Sequence, residues 1–454
     1  MIRVIHVCYS FPPDPLGGTE VYVRALCSAL RHCHVESLVV APGPRDETYE
    51  IDGLRVRRFS HVQTTDLGEI YTGDPQAAAR FGQLLDEEAP DVVHQHALSP
   101  ACSPRLAGEA KTRGIPIVFT YHTPTASCLR GTLLEHGKEP CDGRLDIKRC
   151  TACNLSARGV SGWPGRLLAI VPPRSGDVLA ALNQQGGAWT ALRMSSLARH
   201  YVESLATFWS TVDRIVVLTP WVERVLEING VPASKFVRSA HGLPVTDVPP
   251  LAKRPVGSRP RLVHLGRLDP VKGTRLLIRA LRSIPDAAID LDIYGIVQHE
   301  RDAALQAQLR DLSGGDARIR FLPPLAHNDV ISSLRQYDAL VVPSQWMETG
   351  PLVVLEAFAA GVPVIGSALG GLTDKIRDGI DGVLVTPFDS VEAWGAVLDR
   401  LARAPGSVRE LAAGITPPRS TLDVARDMTA VYHALSADHA AWQVGQQQDH
   451  EVEA

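Results

Sequence analysis

The 454-residue sequence lacks any apolar run approaching the roughly 18 residues that span a bilayer, so no membrane-crossing helix is expected. Its first residues, MIRVIHVCYSFPPD, have neither a charged start nor a small-residue cleavage site, and they read as a strand instead of an export signal. A cytoplasmic location is the resulting expectation. In that compartment the eight cysteines are expected to be thiols or metal ligands and not disulfides. There is no excess of positive charge: the net charge of −4 gives no basis for a nucleic-acid partner. The G-x-G-x-x-G spacing of dinucleotide sites and the lysine of a P-loop are missing from the first strand–helix turn. No long internal repeat is present.

What is there is a chain 45% apolar and 21% charged, an ordinary soluble composition, too long for a single core. Strand-like runs at residues 2–9, 35–41, 54–59, 91–94 and 115–121 alternate with helical segments, and a second alternation begins at residue 261. Between them lies the proline-rich stretch 245–260, read as a linker. Strands alternating with helices imply parallel sheets covered on both faces, with ligands gathering beyond the carboxyl ends of the strands.

The densest chemistry lies in PSQWMETGPLVVLEAFAAGVPVIGSALGGLTD, residues 343–374. A buried-type strand breaks at Pro343, and Glu348 sits in a loop closed by Gly350. Pro351 fits the first position of a helix, with Glu356 a turn and a half inside it. The N–H groups of Leu352 and Val353 would face the loop as an anion site. Upstream, in GRLDPVKG, Arg267 and Lys272 flank a loop bounded by Gly266 and Gly273, and two cations there suit a diphosphate. Near the amino terminus, Gly17 and Gly18 let backbone approach a phosphate or sugar closely, ahead of a helix that Thr19 can cap. His122 stands at a strand end, while His94 and His96 at another read as structural.

From residue 123 to about 163 the alternation fails, and four cysteines fall there: Cys128, Cys141, and the C-T-A-C pair Cys150 and Cys153. That set suffices for a tetrahedral thiolate site holding structural zinc; an iron–sulfur cluster uses the same ligands, and four unrelated thiols are the plain alternative. Residues 164–185 read as irregular. The arginine-dotted stretch 158–174 is a candidate surface for peripheral membrane contact at the inner face, with an ordinary loop as the alternative.

Taken together, GRLDPVKG, PSQWMETGPLVVLEAFAAGVPVIG and GGLTD resemble the nucleotide-sugar half of retaining family 4 glycosyltransferases (glycosyl transferases group 1) of the GT-B fold. The Gly-Gly loop and the strand ending in His122 match that family's first half. The resemblance implies an α/β architecture of two Rossmann-like, doubly wound parallel-sheet domains facing across a cleft. The implied parts are an acceptor-side domain at 1–248 with a cysteine-rich insertion at about 123–165, and a nucleotide-sugar domain at 249–417. A helix at 418–443 would cross back, followed by a disordered tail at 444–454.

The same resemblance implies that Arg267 and Lys272 bind the donor diphosphate, needing no divalent metal. Glu356 would bind the ribose and Glu348 the sugar hydroxyls. His122 would line the sugar site, and Gly17 and Gly18 would lie near phosphate and acceptor. Leu325, Gly350, Leu352 and Val353 are placed on the donor. Pro351 stands where many members have glycine, and Pro323 and Pro324 where a glycine is common. The partners implied are a UDP- or GDP-linked sugar and a carbohydrate, lipid-linked or small-molecule acceptor. The competing readings are a GT-B nucleotide-sugar epimerase and a non-catalytic nucleotide-sugar-binding protein.

Overall fold

The computed structural model describes residues 1–15, 17–184, 186–244, 257, 259–297 and 300–452, with side chains of 300, 301 and 438–452 left aside. The expected linker at 245–260, and with it the expected boundary at 248/249, falls almost wholly outside the described residues. The chain divides into two compact units, Met1–Ala240 with Thr421–Ala454, and His241–Ser420.

In the first unit the strands are β1 (Ile2–Val7), β2 (Val35–Gly43), β3 (Glu47–Ile51), β4 (Leu54–Ser60), β5 (Val92–Gln95), β6 (Ile117–Thr120), β7 (Leu134–Glu135), β8 (Glu139–Pro140), β9 (Arg214–Val217) and β10 (Phe236–Arg238). Eight of them form one sheet in the order β10-β9-β6-β5-β1-β2-β4-β3, while β7 and β8 pair separately. Within the large sheet only β3 runs antiparallel, against β4. The apolar runs of these strands are covered on both faces, as parallel strands require. Val4, Val39, Val56 and Val92 pack with Leu26 and Leu30 of the helix Gly18–Leu30 and with Met428 and Tyr432 of the helix Thr421–Val452.

That last helix is longer than expected. It runs to Val452, so the tail placed at 444–454 as disordered is helical nearly to its end. Its alanines and glutamines are good helix formers, and the single Gly445, at about 1 kcal/mol, is too weak a breaker to stop it. The cysteine-rich insertion is also more regular than the sequence suggests. After the β7–β8 hairpin comes the helix Ile147–Ala157, whose first turn is capped by the Asp146 carboxylate accepting the Arg149 N–H at 2.7 Å. The stretch 164–185, read as irregular, holds most of the helix Gly162–Ala169 and the helix Pro173–Ala181. These helices are two or three turns long, and the buried face of the first is Thr151, Asn154 and Leu155, too polar to show an apolar period.

In the second unit, β11 (Arg261–Arg267), β12 (Asp290–Ile296), β13 (Ile319–Leu322), β14 (Ala339–Val342), β15 (Val364–Ser367) and β16 (Gly382–Val385) form one sheet, β13-β12-β11-β14-β15-β16. All five pairings are parallel. One face packs on Leu281, Trp394 and Leu398, the other on Val354, Phe358 and Leu372. The chain reverses its direction of travel across the sheet between β11 and β14. The loops leaving those two strands therefore lie side by side, the place where open parallel sheets bind ligands.

Candidate functional site

One glycine and one backbone hydrogen bond join the loops after β11 and β14. Asp269 Oδ1 accepts the Val271 N–H at 3.0 Å and caps the turn Pro270–Lys272. Gly273 follows at φ +74°, and a Cβ there would lie 1.8 Å from the Pro343 carbonyl oxygen, so only glycine lets the two loops meet. The Gln345 N–H then donates to the Val271 carbonyl at 2.6 Å. Behind them, the Gly371 N–H donates to the Glu348 carbonyl at 2.6 Å, and a Cβ on Gly370 would come within 2.9 Å of the Glu348 nitrogen. The GGLTD segment thus buttresses the loop that carries Glu348.

The result is a compact charge cluster. Lys272 Nζ and Ser344 Oγ both donate to Glu348 Oε1 at 2.7 Å, and Nζ lies 5.2 Å from the centre of the Trp346 ring. Burial acts to raise the Glu348 pKa. The Lys272 charge and the bonds from Lys272 and Ser344 outweigh it and hold the carboxyl below its usual range. Arg267 stands exposed at the end of β11.

The helix after the loop spans Leu352–Ala359. Pro351, expected at its first position, is instead its N-cap, with φ −65° and ψ 125°; Leu352 and Val353 are the first two helical residues, whose N–H groups have no acceptor within the helix. Glu356 is buried, and burial pushes its carboxyl up to about 7. His327 Nδ1 lies 4.0 Å from its Oε1. Leu325 is half-buried against the same apolar layer as Val353. Gly350 adopts φ +149°, and its carbonyl accepts from His241 Nδ1 at 3.0 Å.

Three contributors escaped the sequence reading. Ser344 lies inside the quoted motif but looks like any loop serine. Lys375 directly follows GGLTD, and its Cε lies 3.3 Å from where a Gly350 Cβ would be. Burial acts to lower its pKa. His241 is 109 residues away from Gly350, beyond any local pattern.

In the first unit, the Gly17 N–H donates to Glu20 Oε2 at 2.9 Å, and Gly17, not Thr19, is the N-cap of the helix Gly18–Leu30. Gly18 faces open space. His122 is buried and belongs to a row of imidazoles. Its Nε2 lies 3.3 Å from His96 Nδ1, and His96 Nε2 lies 3.1 Å from His6 Nδ1. The parallel register puts His6 directly beside His94. His94 is held at Nδ1 by Tyr432 at 2.6 Å and at Nε2 by Thr120 at 2.7 Å. Burial drives His6 down to about 3 and His94 and His96 well below the usual histidine range, so these three rings are neutral. A neutral imidazole offers one donor and one acceptor, so each ring in the row fixes the tautomer of the next. The sequence reading gave His94 and His96 alike as structural; both are buried in the row, and His96 is the ring that contacts His122. Elsewhere in this unit Cys128, Cys141, Cys150 and Cys153 line one small cavity.

Residues 252–413 match the family model described as Glycosyl transferases group 1, and residues 16–149 match Glycosyltransferase Family 4. A D-inositol 3-phosphate glycosyltransferase of Arthrobacter sp. (strain FB24) is 26% identical over 406 residues, covering 86% of this chain and 83% of its own. One from Mycobacterium sp. (strain KMS) is 30% identical over 213 residues, covering 44% of this chain and 47% of its own. The chain thus spans about half the length of the mycobacterial relatives it matches. Among solved structures, sucrose-phosphate synthase from Thermosynechococcus elongatus aligns with a TM-score of 0.65 at 18% identity, covering 96% of this chain and 100% of that one. Anabaena HepE in complex with UDP and glucose aligns at 0.59 and 15%, covering 95% and 99%. These likenesses show a shared two-domain α/β fold.

Proposed function

We propose, from the premise that the chain belongs to the glycosyl transferases group 1 with a Family 4 amino-terminal half and the GT-B fold, that it moves a sugar from a nucleotide-sugar donor to an acceptor hydroxyl. The observation that carries this reading is the pair of half-buried Lys272 and buried Glu348, set by Gly273 and Gly370 beside the start of a helix that buries Glu356. A buried ion pair contributes little net stability, and perturbed carboxylates gather where ligands bind.

In this proposal Arg267, Lys272 and the N–H groups of Leu352 and Val353 hold the donor diphosphate. They neutralise the charge that grows on it as the glycosidic bond breaks, work that side-chain cations do without a divalent metal. Glu356 accepts from the ribose hydroxyls and Glu348 from sugar hydroxyls, with Gly350 and Leu325 lining the donor. The leaving phosphate takes the proton of the attacking acceptor hydroxyl on the same face, so the anomeric configuration is retained. His122 and the Gly17–Gly18 turn are the first unit's residues that we assign to sugar and acceptor.

The UDP in HepE supports a UDP-linked donor, with a GDP-linked one second. The relatives named for D-inositol 3-phosphate make a phosphorylated polyol the first acceptor to try, ahead of glycolipid and polysaccharide ends. A thermal-shift panel of UDP-, GDP-, ADP- and dTDP-sugars tests the reading, because a ligand that binds only the folded chain raises Tm. A rise with one base supports it, and NMR of the product anomeric carbon then tests retention. No rise with any donor, in protein shown to be folded, contradicts it.

The proposal includes peripheral contact with the cytoplasmic face of a membrane. The short helices Gly162–Ala169 and Pro173–Ala181 expose Trp163, at 74%, together with Leu167 and Val178, and Ile170 lies exposed between them. Arg158, Arg166 and Arg174 are exposed on the same stretch. Apolar side chains beside cations suit an anionic lipid surface. Co-sedimentation with anionic vesicles that Trp163→Ser and Leu167→Ser fail to weaken would refute it.

A further inference from the structure

Two clusters in the first unit have the composition of a metal site. Among the described residues, His6, His94 and His96 have ligand atoms within 4.8 Å of one another. Their nitrogens are already used, however. His6 and His96 bond each other, and both His94 nitrogens are held by Tyr432 and Thr120. The four cysteines of the insertion are the opposite case. Their sulfurs stand further apart than the histidine nitrogens. Together with apolar Leu133 and Leu134 and charged Arg130, Glu135 and Arg149, they line a cavity of about 30 Å³, room for one atom-sized guest.

Backbone N–H groups already point at two of the four sulfurs. The His136 N–H donates to Cys153 Sγ at 3.2 Å, and the Gly143 N–H donates to Cys141 Sγ at 3.5 Å. Arg149 Nη2 reaches the same Cys141 sulfur at 3.5 Å, and Arg130 bonds the Cys153 carbonyl at 3.4 Å. Cys150 and Cys153 lie three apart on the helix Ile147–Ala157, hence on one face. Cys141 leaves the β7–β8 hairpin, with its N–H on the Leu133 carbonyl at 2.8 Å, and Cys128 precedes it. Strands of two residues each are too short to hold a hairpin alone.

We infer that Cys128, Cys141, Cys150 and Cys153 ligate one thiophilic metal centre that fastens hairpin, loop and helix of the insertion into one piece. Each thiol gives its proton to solvent on ligation, and a single zinc with four thiolates carries a net charge of −2, which the N–H groups donated to Cys141 and Cys153 offset in part. An iron–sulfur cluster would use the same four ligands plus inorganic sulfide. This inference is independent of the donor site.

The test is metal and acid-labile sulfide content of the purified full chain, with Cys150→Ser and Cys153→Ser beside Cys33→Ser, a half-buried cysteine outside the cluster. One zinc per chain without sulfide, lost at least tenfold in the first two variants and kept in the third, is the expected result. Iron with matching sulfide, lost in the same variants, supports the four ligands with a cluster between them. If the variants fail to fold, the unmodified chain still decides: thiols protected from an alkylating reagent become reactive once a chelator strips the metal. Metal-poor folded protein whose insertion thiols react at once, or metal that survives both substitutions, overturns the site.

Discussion

In the second unit, Lys272, Ser344 and Glu348 come from two adjacent loops and meet as ions and a hydroxyl. In the first unit, His6, His96 and His122 come from three strand ends, separated by 90 and 26 residues, and meet as a row whose inner rings are neutral. One cluster is kept charged by its neighbours and the other is kept neutral by its burial. The difference explains what each can do. A charged loop cluster can answer a diphosphate, whereas a neutral imidazole row can only orient a ring and set its tautomer.

The sharpest way to break the comparison is to remove the cation that keeps the second unit's cluster charged. Lys272→Ala leaves Glu348 buried without its ion partner, and should destabilise the chain by about 3–5 kcal/mol. Adding Glu348→Gln should recover part of that in urea denaturation. Arg267→Ala is the complementary case. The side chain is exposed, so stability should change by about 0.5 kcal/mol at most, while turnover should fall by about 10²–10³. Loss of activity through unfolding would show instead as a shifted denaturation midpoint.

Glu356 sets the next effect. Its carboxyl is raised from the usual 4.5 to about 7, so the folded chain favours the protonated form. The contribution is full below pH 4.5 and is lost as pH rises through 7, a difference of about 3 kcal/mol at most. Glu356→Gln should therefore be the more stable protein at pH 8 and lose this slope. Donor affinity should run the other way in the unmodified chain, rising between pH 6 and 8 as the carboxylate becomes available to ribose hydroxyls, and staying flat in the variant. Titration of donor at both pH values checks it.

The smallest effect belongs to the first unit. Tyr432→Phe removes the donor or acceptor at His94 Nδ1 in a buried setting, worth about 1–3 kcal/mol of stability, and should leave donor affinity unchanged. His6, His94 and His96 have depressed pKa values, so their contribution is present above pH 6.5 and is lost as pH falls towards 3. Among the described residues the second unit has two such histidines, His241 and His264, and Glu356 acts against them. Amide exchange on acidification should therefore rise first around β1 and β5.

This contrast also governs what the sequence could reveal. The second unit's candidate site was legible because Glu348, Gly350, Leu352 and Glu356 fall within nine residues, and because Arg267 and Lys272 sit in a loop bounded by glycines. The doubly wound sheets were legible because their strands are apolar runs. The histidine row was not legible, since only strand register brings His6 beside His94, and register is a tertiary fact. The insertion's helices were missed because their buried faces are short and polar. His241 was missed because it meets Gly350 across 109 residues.

The most direct test of the account is calorimetric titration of a UDP-sugar into the unmodified chain and into Arg267→Ala at pH 8, both shown to be folded. The account predicts saturable binding to the first and a loss of at least tenfold in affinity in the second. Equal affinity in the two proteins would contradict the placement of the donor diphosphate in the second unit.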